Sequence, residues 1–210
     1  MGIGTTIRHR MGRLEIPMAD LYRSFFISHA QFTTQLAQHL KPRRILEVGC
    51  GDGTLAQRLV AAFPDADYLG IDPAESAGRL YRGPADRAVF RTMTSAELRA
   101  ENPEPFDLVM TADVLHHIQP DLRREVLRDI DAFTAPDGCY VVKEWAIDRP
   151  FFGKLAYWAD FYVTGDKNVD FMTNSQLLRV LEETLPDFEI ASSSSVRPWK
   201  ENVLLLLKRP

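Results

Sequence analysis

The chain has 210 residues, 45% of them hydrophobic and 26% charged, with a formal charge of −4 and only two cysteines, Cys50 and Cys139. These values fit one globular domain with room for an extra segment, and they argue against a disulfide framework, a zinc cluster and a basic nucleic-acid-binding surface. No apolar stretch reaches the roughly 18 residues of a membrane span, and the basic start at Arg8, Arg10 and Arg13 leads into no signal-peptide core, so the expected location is the cytoplasm.

After a polar arm, Asp20 is placed to cap a helix whose Leu21, Phe25, Ala30, Phe32, Leu36 and Leu40 form an apolar side, and Lys41-Pro42 ends it. From there the pattern alternates between two periods. Strand-like runs fall at 43–49, 67–72, 88–93, 106–112, 139–146, 188–192 and 202–208. Helical stripes lie between early strands: Leu55, Leu59 and Phe63, then Leu122, Val126, Ile130 and Phe133 after Pro120. Pro136-Asp137-Gly138 reads as a turn into the fifth strand. Such alternation predicts a parallel, doubly wound α/β sheet with helices on both faces.

The organisation that follows is an N-terminal arm and lid helix over 1–42 and a main domain over 43–210, with an aromatic-rich insertion at about 147–173. Seven of the 21 aromatic residues stand at 151, 152, 157, 158, 161, 162 and 171. Either they pack as core or they line an apolar or aromatic acceptor pocket. Thr173 and Gln176 form a capping-box pattern ahead of Leu177, Leu178, Leu181 and Leu185. The last two strands are close enough to pair as an antiparallel hairpin, with Ser192–Ser195 in an ill-defined turn.

The stretch ILEVGCGDGTLA, residues 45–56, follows a strand and opens a helix, with glycines at 49, 51 and 53. Glycines there let the backbone turn sharply and approach a ligand closely. Asp72 ends the second strand, where a ribose hydroxyl pair is held in such sheets. Two cofactor classes use this frame. A dinucleotide brings a pyrophosphate to the loop, and an ionised Glu47 about 6 Å from a phosphate charge would cost roughly 3 kcal/mol at an effective dielectric near 20. A zwitterionic amino-acid ligand instead places its carboxylate on the helix N–H groups and its ammonium toward Glu47. Thr54 also stands where a dinucleotide loop needs glycine, and no Tyr-x-x-x-Lys pair occurs. A ligand with amino-acid, ribose and adenine parts is S-adenosylmethionine (SAM).

ILEVGCGDG, YLGIDPAE, FDLVMTADVLHHI and PDGCYVV, in that order, resemble the successive motifs of class I SAM-dependent methyltransferases, especially the small-molecule group. The resemblance implies a Rossmann-like seven-stranded sheet ordered 3-2-1-4-5-7-6 with one antiparallel strand. It places Glu47, Gly49, Cys50, Gly51 and Asp52 around the methionine part of the cofactor, Asp72 on the ribose and Pro73 beside the adenine. Ala112 falls at the end of the fourth strand on the cofactor side. Where relatives often carry an aspartate after strand three, this chain reads Met93-Thr94-Ser95-Ala96-Glu97, so Thr94 and Ser95 stand in for the adenine contact.

Methyl transfer from a sulfonium is an in-line displacement governed by positioning. His116 and His117 follow strand four, where the methyl group would point, and a neutral imidazole suits proton removal near pH 7. They act either as a general base or as local packing and hydrogen-bonding groups. Asp113 has no evident second ligand in the sequence, so a metal-free reaction is expected. The expected partner is a small molecule, with no nucleic acid and no membrane, and the expected state is a monomer or homodimer. No (D/N/S)-P-P-(Y/F) segment follows strand four, and no Pro-Cys pair does either, which disfavours action on a flipped base. A non-catalytic SAM-binding or scaffolding protein of the same fold is the alternative reading.

Overall fold

A computed structural model describes residues 27–147 and 169–210. The expectations for Asp20, Leu21 and Phe25, and for six of the seven clustered aromatics, lie outside these residues. Helix α1 (His29–His39) is followed by β1 (Arg44–Val48), α2 (Thr54–Ala62), β2 (Asp67–Asp72), β3 (Ala88–Thr92), α3 (Ser95–Ala100) and β4 (Phe106–Ala112). A 3₁₀ turn at Leu115–His117 leads to α4 (Pro120–Phe133), β5 (Thr134–Trp145), α5 (Asn174–Thr184), β6 (Glu189–Ser195) and β7 (Asn202–Lys208).

The seven strands form one sheet in the order 3-2-1-4-5-7-6. Strands β1 to β5 run parallel, and β7 inserts antiparallel to both β5 and β6. Each face carries its own apolar core. Leu46, Val109, Leu127, Ile130, Phe133 and Leu181 pack on one side, and Phe32, Leu36, Ile45, Leu59, Met110 and Val141 on the other. Burial of each such side chain contributes about 1.5–3 kcal/mol, so the central strands read as continuous apolar runs. This fixes the carboxyl ends of β1, β2 and β4 side by side, where the glycine loop and the His-His turn emerge.

Several local expectations change. Helix α1 begins at His29 because Ser28 caps it, its Oγ accepting from the Gln31 N–H at 3.3 Å. Pro136-Asp137-Gly138 lies within β5, where the pairing jumps from Phe106↔Thr134 to Leu108↔Cys139. The turn-forming residues are absorbed as an irregular bulge that keeps the later register with β4. Ser192–Ser195 belong to β6 rather than to a turn, and the strand is exposed along its length. Among the described residues, no helix joins β2 to β3; turns over 73–87 do so, and their N–H groups at Gly78 and Leu80 donate to the carbonyls of Gly51 (3.0 Å) and Asp52 (2.7 Å).

Candidate active site

The glycine loop is shaped largely by its own backbone. Gly49, Gly51 and Gly53 have φ of +79°, +52° and +82°, which side-chain-bearing residues rarely adopt. At Gly49 a Cβ would meet Val114 Cγ2 at 2.5 Å, so glycine there admits a side chain from the β4 loop. At Gly51 no atom lies within 4 Å of where a Cβ would stand, and the backbone faces open space. The N–H groups of Gly49 and Cys50 both donate to the Ile71 carbonyl, at 2.8 and 3.0 Å, which ties the loop to the end of β2.

Three carboxylates converge on this loop. Asp72 accepts from the Gly51 N–H at 2.9 Å and the Ala74 N–H at 2.8 Å. Asp52 accepts from the Thr54 N–H at 3.3 Å and the Thr54 hydroxyl at 2.8 Å. Glu47 differs: it is 2% exposed, and the Tyr68 hydroxyl donates to it in a short hydrogen bond. Burial pushes its carboxyl up to about 8; the Tyr68 bond opposes this, and Asp72 and Asp52 add to it. The expectation of an ionised Glu47 at the loop's mouth is therefore corrected. Desolvation keeps it largely neutral at pH 7, and the negative charge that a diphosphate would meet resides on Asp52 and Asp72. The buried Cys50 thiol is likewise pushed up, by burial first and Glu47 second, which leaves it unreactive as a nucleophile.

Further along the cleft, Pro73 is exposed beside Asp72, and Ala112 ends β4. Thr94 caps α3: its hydroxyl accepts from the Glu97 N–H at 3.2 Å and donates to the Glu97 carboxylate at 2.8 Å. The Ser95 hydroxyl donates to Asp129 on α4 at 2.7 Å. Both hydroxyls expected near the adenine are thus committed to holding α3 in place.

The β4 loop is held by side chains instead. Asp113 takes φ +57°, and its N–H donates to the Lys143 carbonyl at 2.8 Å. The fully buried Lys143 ammonium donates to Asp113 Oδ1 and Oδ2 at 2.6 and 2.5 Å. The next residue on β5, Glu144, projects to the opposite face of the sheet. It is 2% exposed and accepts from the N–H groups of Val114 (2.9 Å) and Leu115 (2.6 Å). Its second oxygen lies 2.6 Å from His116 Nδ1. Consecutive β5 residues therefore grip the loop from both faces.

His116 is 3% exposed, stacked on Phe171 at 4.8 Å and set against His117 at 4.3 Å between ring centroids. Buried Arg123 closes the arrangement from α4, donating to the carbonyls of Leu115 (2.9 Å) and Ile118 (3.0 Å) and to Asp170 Oδ2 (3.1 Å). Asp113, His116 and Glu144 offer ligand atoms within 4.8 Å of one another, partners that Asp113 lacked in the sequence. The cation of this cluster is Lys143, bonded to both oxygens of Asp113. Tyr68, Arg123, Lys143 and Glu144 escaped the sequence reading; the one available signal was a charged Lys-Glu pair within an otherwise apolar strand.

A family profile described as a methyltransferase domain matches residues 46–140. The ubiquinone biosynthesis O-methyltransferase of Bordetella avium is 32% identical over 112 residues, covering 51% of this chain and 45% of the relative. That of Azorhizobium caulinodans is 33% identical over 99 residues, covering 46% and 38%. The chain thus spans less than half the length of these two curated relatives. In fold it resembles the pyocyanin biosynthetic protein PhzM (TM-score 0.71, 16% identity, 99% of this chain and 62% of the other). It also resembles Burkholderia thailandensis 1,6-didemethyltoxoflavin-N1-methyltransferase, solved with bound 1,6-didemethyltoxoflavin and S-adenosylhomocysteine (TM-score 0.65, 18% identity, 98% of this chain and 88% of the other). Residues 46–140 thus match a methyltransferase domain, and the strand order gives the chain the fold of the methyltransferases it resembles.

Proposed function

We propose that the protein transfers a methyl group from SAM to a small organic acceptor that is apolar or aromatic in part. The observation that carries this reading is the junction of the two loops. Val114 packs against Gly49, so the open backbone at Gly51 and the Glu144-anchored His116 are fixed relative to each other at one edge of the sheet. SAM, when bound, supplies an electrophilic methyl group on a sulfonium. Each Asp72 oxygen already holds one backbone N–H and retains a lone pair for a ribose hydroxyl. Asp52, Gly49, Cys50 and Gly51 shape the space for the methionine part, Pro73 borders the base, and backbone at Thr94 and Ser95 is the adenine contact.

We read His116 and His117 as the groups that take the proton of an acceptor O–H or N–H, with Glu144 orienting His116 through Nδ1. The reaction takes place without a metal, Lys143 serving as the local cation. Two buried free cysteines support a cytoplasmic site of action, and among the described residues no helix is long and apolar enough to cross a membrane. Titration calorimetry with SAM and S-adenosylhomocysteine tests the reading. Micromolar binding that weakens at least tenfold in Asp72→Ala is expected; no binding of either compound overturns it.

A further inference from the structure

We propose that Glu47 is a proton-linked gate of the donor cleft: it holds a proton beside Tyr68 until an ammonium group settles against the glycine loop, then yields that proton to solvent. The inference rests on the reading of the cleft as a SAM site and concerns how that ligand is admitted.

The three acids of the cleft are not equivalent. Asp72 and Asp52 each accept a backbone N–H and one further donor, and both are partly exposed. Glu47 sits behind them on β1, and among the described residues its one hydrogen-bond donor is the Tyr68 hydroxyl. Among the described residues, the groups that face it bring no cation. Gly70 and Tyr68 lie on β2, with Asp72 at its end; Met110 pairs with it from β4; Cys50 and Asp52 come from the loop. Beyond Tyr68 stands Tyr81, another neutral phenol. A buried carboxyl with one donor and two anions nearby is most stable with its proton on. Its pKa of about 8 agrees with that geometry.

Gly70 explains how the phenol reaches the acid. Gly70 is the register partner of Glu47, and a Cβ there would lie 3.0 Å from the Tyr68 ring and 2.9 Å from Cys50 Sγ. The missing side chain is the passage through which Tyr68 approaches. Tyr68 is a positioning residue: its donated bond favours the ionised form and so keeps the proton labile. An arriving ammonium supplies the cation the cluster lacks, the Glu47 O–H bond breaks, and the proton leaves to water or buffer.

Titration calorimetry of the intact chain with S-adenosylhomocysteine at pH 7, in phosphate and in Tris, counts the protons. About 0.9 proton released per ligand is expected for a group that titrates near 8. The dissociation constant should weaken roughly tenfold per pH unit below pH 8. Glu47→Gln should release no proton and bind with affinity independent of pH. Tyr68→Phe should move the break in the pH profile upward. An analogue of the ligand without its α-amino group should release no proton from the wild type. Binding without proton release, or equal release from Glu47→Gln, overturns the gate while leaving the donor-cleft reading intact; absence of binding overturns both.

Discussion

The loop after β1 takes its shape from three glycines in left-handed conformations, whereas the loop after β4 is held by Glu144, whose partners lie 28 to 30 residues away, and by Lys143 and Arg123. In the first, the acids face the cleft and only Glu47 is buried. In the second, the charged groups are sealed under the loop and each has partners. The contrast shows two ways to hold a loop at a sheet's edge: conformational permission needs no partner, while a buried charge must have one.

The largest test strikes the side-chain-held loop. Glu144→Ala leaves the N–H groups of Val114 and Leu115, and His116 Nδ1, without their buried acceptor. It should cost about 3–5 kcal/mol in urea unfolding, with Glu144→Gln costing less because one acceptor oxygen remains. A loss under 1 kcal/mol would erase the contrast.

The second test uses pH on the glycine side. Glu47 binds its proton more tightly in the folded chain than in the unfolded one, so its contribution to stability is greatest at low pH and declines as pH rises from about 4.5 to about 8. The slope should approach 1.4 kcal/mol per pH unit within that window, giving about 2–3 kcal/mol between pH 6 and 8. Urea midpoints across this range should show it, and Glu47→Gln should flatten that component.

The smallest effect is expected at the seam between the loops. Gly49→Ala introduces both an unfavourable φ and a clash with Val114, worth about 2 kcal/mol together. Adding Val114→Ala should return the steric part and leave the conformational part. If the double variant is no less destabilised than expected from the two single changes added together, the loops are not in mechanical contact.

Period and spacing reveal what is local. The strands, the Leu55, Leu59 and Phe63 stripe, the glycine loop, the Thr173 capping box and the His-His turn stand where the sequence places them, whereas α4 turns Leu122 out to solvent and buries Arg123 and Leu127 beside Ile130 and Phe133. The strand order followed from the motif resemblance. Features that depend on distant partners did not show. The charge state of Glu47 depends on burial and on Tyr68, 21 residues away, and Glu144 reads as an ordinary strand acid until β4 is laid beside it. Pro136-Asp137-Gly138 carries a sound turn signal, yet the pairing of β5 with β4 on both sides of it prevails. Ser28 caps the start of α1 at His29, a position that propensity alone leaves open.

The serine-rich β6 has a consequence for how copies of the chain meet. A sheet margin offers unpaired amide groups to any passing strand, and margins with large apolar side chains reward such pairing. Along Glu189–Ser195 only Ile190 is a large apolar residue, and four consecutive hydroxymethyl groups keep the border hydrated. Crowded molecules therefore gain little by zipping together at this rim, and the antiparallel hairpin closes the array instead of inviting its extension.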